Sequence, residues 1–172
     1  MNNLNSAVLN TFLAIFFLHA TPSLAGTEST TDTNPGRITF IYENGIEQCG
    51  VDASPQVFEI SYYAGGPGIR PCDHSRVRFI KLDGVRSAVT IRLWSYLRGG
   101  KPGGCQSSET HNFTLYLRTI KNPTNTQMID LRNLADYPLN TPIQPGVTLT
   151  NKYIKDANKI DKNLSCVQVI YD

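Results

Sequence analysis

The feature that most constrains this chain is a two-residue alternation of side chains, repeated in short runs. Ile38, Phe40 and Tyr42 alternate with Thr39, Ile41 and Glu43. Phe58, Ile60 and Tyr62 alternate with Val57, Glu59, Ser61 and Tyr63. Val89, Ile91 and Leu93 alternate with Thr90, Arg92 and Trp94, and Phe113, Leu115 and Leu117 with Thr114, Tyr116 and Arg118. Successive side chains of a strand point to opposite faces, so runs of this kind predict half-buried strands. Residues 76–82 are also strand-like, but their phase slips between Phe79 and Ile80, which predicts a β-bulge. Residues 147–153 and 167–171 read as closing strands, and Gly, Pro, Asn and Asp clusters punctuate the loops between runs. The pattern predicts an all-β protein, an antiparallel β-sandwich of Greek-key type with at most one or two short helices. Residues 128–137 suit one such helix, with Met128, Leu131, Leu134 and Ala135 on one side. Residues 151–165 carry Lys152, Lys155, Lys159 and Lys162 with Asp156 and Asp161, and read as a solvated loop.

The start of the chain sets a compartment. Residues 8–18 are almost wholly apolar, which is shorter than the ~20 residues a membrane-crossing helix needs. Ser23-Leu24-Ala25 follows, with small residues where signal peptidase requires them. Residues 1–25 therefore read as a cleaved secretory signal peptide, although they carry no Lys or Arg. The expected export is to a secreted or periplasmic location. Residues 26–36 lack large apolar side chains and are expected to be a flexible leader. Residues 37–172 are expected to form one β domain.

Export makes Cys49, Cys72, Cys105 and Cys166 read as two disulfides. A zinc site is the competing reading, but no CxxC or HxxxH spacing supports it, so no metal and no cofactor is implied. Three pairings are possible. Cys49–Cys72 with Cys105–Cys166 is preferred because it closes the loops without interleaving them. The segments 61–72 and 95–105 echo one another, each a Gly/Pro loop ending in a cysteine, and a duplicated unit is one reading of that echo.

Two stretches resemble the βγ-crystallin-like domains. Ile38-Thr39-Phe40-Ile41-Tyr42-Glu43-Asn44-Gly45 looks like the opening strand of such a motif. Residues 75–82, followed by Thr90-Ile91-Arg92-Leu93-Trp94 and Gly99-Gly100, look like the crossing into a second. The resemblance spans roughly residues 37–105 and implies a pair of Greek keys, with no counterpart for residues 121–172. The sequence departs from the family in its aromatic-to-glycine spacing after Tyr42. Asp73-His74-Ser75 lacks the family's calcium signature, so calcium binding is not implied.

The net charge of +2 hides an asymmetry. Residues 70–101 hold eight basic residues against Asp73 and Asp83, so this stretch is +6 and the remainder −4. If the strands carrying Arg76 and Arg78, Arg92 and Trp94, and Tyr116 and Arg118 are neighbours, one sheet face shows four arginines, a tryptophan and a tyrosine. Guanidinium forks suit carboxylate, sulfate or phosphate, and aromatic rings suit sugar or base faces. The expected function is binding, of an anionic glycan or an envelope or extracellular protein, with nucleic acid as a further possibility. The competing arrangement packs Trp94 beneath the Lys and Arg stems, or covers this face with a second sheet. A second class of function is a small secreted hydrolase or nuclease using His74 and His111, with Glu109 as the carboxylate. A third is a structural extracellular protein. No GxSxG, HExxH, P-loop or dinucleotide fingerprint is present. Asn112-Phe113-Thr114 and Asn163-Leu164-Ser165 are sequons, relevant only where the host glycosylates exported proteins.

Overall fold

The computed structural model describes residues 34–60, 76–95, 105, 112–160 and 163–172. The described residues form ten strands: β1 (Arg37–Tyr42), β2 (Glu47–Asp52), β3 (Gln56–Glu59), β4 (Val77–Asp83), β5 (Val89–Trp94), β6 (Phe113–Thr119), β7 (Ile129–Asp130), β8 (Pro142–Gln144), β9 (Val147–Ile154) and β10 (Cys166–Tyr171). Pairing is antiparallel throughout. The first sheet has the order β2-β1-β4-β7 and the second β3-β10-β5-β6-β9-β8. The expected β-sandwich is therefore the architecture.

Its topology is a pair of Greek keys that exchange one strand each. In β1–β4, three strands lie side by side in the first sheet and β3 crosses to the second. In the second key, β6, β5 and β10 lie side by side in the second sheet and β7 crosses to the first. The β8–β9 hairpin is inserted between β7 and β10 and extends the second sheet past β6. This corrects the view that residues 121–172 have no counterpart in the second key: β7 and β10 are its last two strands. It also bears on the Gly/Pro loop echo. The loops themselves lie outside the described residues, but their flanking strands do not. One loop joins β3 to β4 across the sandwich, and the other joins neighbours β5 and β6 within one sheet. The structural repeat is thus the whole key, not the echoed unit.

The core follows from the alternation. Ile38 and Phe40 of β1, Ile80 and Leu82 of β4, Val89, Ile91 and Leu93 of β5, and Leu115 and Leu117 of β6 are fully buried between the sheets. Each such side chain removed from water contributes about 1.5–3 kcal/mol. The predicted bulge is present, displaced by a residue. Ile41 pairs with Phe79 but Tyr42 pairs with Val77, so Arg78 is the extra residue. That insertion lets Val77 and Leu82 both face inward across an odd separation.

Of the expected leader, residues 34–36 are described: Asn34 Oδ1 accepts from the Gly36 amide at 3.1 Å, and Gly36 O accepts from the Ala53 amide at 2.9 Å. Residues 26–33 lie outside the described residues. Two other expectations are revised. The short helix expected over residues 128–137 is narrowed to a 3-10 helix, Leu131–Ala135, which β7 precedes. Leu131 and Leu134 anchor it while Met128 is 50% exposed. Asp130 caps its start, and Pro138 disfavours helical backbone at Tyr137. Residues 151–165 are not one loop, because β9 runs through Ile154 and a 3-10 turn follows at Ala157–Lys159. Lys152 lies on the inner side of β9, opposite Leu115, and its amine donates to the carbonyls of Ala135 and Tyr137.

Cys105 and Cys166 form a disulfide, as preferred from the loop closures. Cys49 is also disulfide-bonded, and no cysteine among the described residues is free. Cys72 lies outside the described residues. No helix among them is long and apolar enough to cross a membrane.

Candidate functional site

The inward set of β5 and β6 dictates what these strands show outward. With Ile91, Leu93, Leu115 and Leu117 in the core, Thr90, Arg92 and Trp94 emerge beside Arg118, Tyr116 and Thr114, their cross-strand partners. Four of the six expected binding residues, Arg92, Trp94, Tyr116 and Arg118, thus share the outer face of the second sheet.

The other two do not join them. β4 belongs to the first sheet, so Arg76 and Arg78 are separated from this face by the core. Arg78 is neutralised where it stands, 2.9 Å from Glu43 Oε1 and 3.1 Å from Asp130 Oδ2. Arg76 lies over the Tyr42 ring, 4.4 Å from its centroid. Alternation fixes the face on which a side chain emerges, but not the sheet its strand joins. That is why the expected six-residue face is reduced to four.

Trp94 is placed as expected and exposed differently. It is only 2% accessible, although it points away from the core, and the Arg92 guanidinium lies 4.5 Å from its ring centroid. The same guanidinium lies 5.6 Å from the Tyr116 centroid. Two rings thereby present negative faces to one cation, each contact contributing about 0.5–1 kcal/mol at a partly exposed site. Trp94 supports the cation; it offers no ring for a ligand to stack on. This is the arrangement in which the tryptophan packs beneath an arginine stem.

The electrostatics separate the two arginines of this face. Arg118 Nη2 pairs with Asp172 Oδ2 at 3.1 Å, and the same carboxylate accepts from Thr90 Oγ1 at 3.2 Å. Arg92 has no carboxylate partner among the described residues, and its Nε is buried without a hydrogen-bond acceptor. A buried donor left unsatisfied costs about 1–3 kcal/mol. Its charge is therefore held by two rings, with no carboxylate beside it among the described residues.

The structure adds two residues that sequence reasoning missed. Tyr153, 56% exposed, stands opposite Thr114, and exposed Asn151 stands opposite Tyr116. A register shift between Tyr116 and Leu117 changes the phase of β9, which hid Tyr153. The adjacent polar pair Thr150-Asn151 was the available signal.

The catalytic candidates His74, His111 and Glu109 lie outside the described residues. Among the described residues no group of three or more His, Cys, Asp or Glu could hold a metal ion. A cleft of about 170 Å³ opens beside β7 and β8, lined by Met128, Asp130, Leu134, Tyr137 and Ile143 among others. Its carboxylate, Asp130, is already bound by Arg78 and Arg132. The sequon residues Asn112 and Asn163 are both half-buried.

The fold and face together define a class: a paired Greek-key sandwich, disulfide-stapled, with a cation supported on aromatic rings. Comparison with known proteins finds no matching family model, no matching curated protein and no matching solved structure.

Proposed function

We propose that the protein is an exported binding module whose outer second-sheet face takes an anionic glycan. The observation that carries this reading is Arg92, a guanidinium held over Trp94 and Tyr116 with no carboxylate partner among the described residues. A sulfate or uronate carboxylate would pair with its terminal nitrogens, the buried Nε excepted. Exposed Tyr153 would offer a ring face to the sugar itself, which is why a glycan is favoured over an acidic protein. The disulfide supports an oxidising compartment, in keeping with the signal peptide read in residues 1–25.

The test is a titration of the mature protein against sulfated and neutral glycans at two salt concentrations. Sulfated glycan should bind, and more weakly at high salt, while neutral glycan should not. Arg92→Ala should weaken binding roughly 10- to 100-fold, the worth of a charge-assisted hydrogen bond. Arg92→Lys should recover only part of it, because an ammonium lacks the planar fork. Arg78→Ala, on the other sheet, should leave affinity unchanged. Equal and negligible binding of both glycans would sink the proposal.

A further inference from the structure

The tip of the β1–β2 hairpin carries the dipeptide Asn44-Gly45. Gly45 N donates to Tyr42 O at 2.9 Å, and Tyr42 N donates to Ile46 O at 3.1 Å. With Gly45 at φ +78°, this is the three-residue hairpin loop in which a turn is followed by a left-handed residue. Glycine suits that conformation because it has no Cβ. Asn44 and Gly45 are both exposed, and a Cβ placed on Gly45 would meet nothing within 4 Å.

We propose that Asn44 is a native deamidation site, converted through a succinimide to aspartate and isoaspartate. The Gly45 backbone nitrogen adds to Asn44 Cγ. The new N–Cγ bond forms as the Cγ–Nδ2 bond breaks, and ammonia leaves carrying the proton given up by the Gly45 amide. Water then opens the ring at either carbonyl. Asparagine is a thermolabile residue in general. The missing Cβ at the next position leaves the attacking nitrogen unhindered, and no other asparagine in this chain precedes a glycine.

The turn sets the rate. The Gly45 amide is engaged with Tyr42 O, and Asn44 Oδ1 accepts from the Ile46 amide at 3.1 Å. Both bonds must open before the nitrogen can attack. They lie at an exposed tip outside the core, so a local opening is enough. The consequence is also local. Either product puts a new carboxylate beside Glu43, the residue that pairs with Arg78 at 2.9 Å. Isoaspartate further adds a backbone carbon to a loop closed by two hydrogen bonds.

The experiment holds the folded full chain at mildly alkaline pH and maps its peptides by mass over time. The amide-to-acid mass gain should appear at Asn44 before any other described asparagine. It should vanish in Asn44→Gln, whose ring closure is slower, and run about tenfold faster in denaturant, where the turn bonds are gone. If folded protein keeps Asn44 intact while the denatured chain converts it, the turn locks the residue and the proposal fails. Conversion of another described asparagine first would overturn it equally.

Discussion

Two glycines with the same backbone hand show how context sets a residue's worth. Gly36 and Gly45 have φ of +79° and +78°. A Cβ on Gly45 would meet open space, whereas one on Gly36 would lie 2.6 Å from the backbone of Gly84 and Val85. Gly45→Ala should therefore cost only the left-handed penalty, about 1–2 kcal/mol. Gly36→Ala adds a clash that backbone alone can relieve, and should cost about 3 kcal/mol or more. Denaturant midpoints of the two variants check this, and equal losses would refute the close approach. Arg92 and Arg118 make the same point with charge. Both emerge from one sheet face, yet Asp172 claims one and aromatic rings hold the other. The sequence displayed both arginines and their shared side. It did not display Asp172, which lies 54 residues beyond Arg118 and reaches it through the β10–β5–β6 pairing.

At the scale of elements, legibility followed burial on one face. β5, β6 and β10 pack one side on the core, and their alternation announced them. β2 and β8 were silent. β2 is an edge strand whose residues Glu47, Cys49, Gly50 and Asp52 carry little apolar signal, and β8 is three residues beginning with a proline. Neither needs alternation, because one neighbour's hydrogen bonds place it. The lysines of residues 151–165 misled for a related reason, since spacing cannot say where an amine ends. Lys152 ends on the carbonyls of Ala135 and Tyr137, tying β9 to the close of the 3-10 helix. Lys152→Ala should strand those carbonyls and cost about 1–3 kcal/mol in thermal or chemical denaturation. It should leave the proposed glycan binding intact, because the amine points away from the outer face. A variant as stable as the wild type would show that water replaces the amine at no cost.

At the scale of the molecule, the two keys depend on the last strand. β10 closes the chain yet sits between β3 and β5, so it joins the crossed strand of the first key to the opening strand of the second. Such pairing closes long loops before it gains contacts. The Cys105–Cys166 bridge shortens that search. It fixes the first residue of β10 to a point 61 residues earlier, and Cys105 Sγ lies 3.5 Å from Phe58 O of β3. A loop of that length predicts about 4 kcal/mol of stabilisation through the unfolded chain. Cys105→Ala combined with Cys166→Ala should lose most of that, and refolding should slow as β10 finds its place unaided. The loss should be the same for a chain already carrying Arg92→Ala, because Arg92 gains nothing from the closed loop. Urea titration and stopped-flow refolding of the four chains test both statements. A loss below 1 kcal/mol with unchanged refolding would mean that β10 is held by its strand pairs alone.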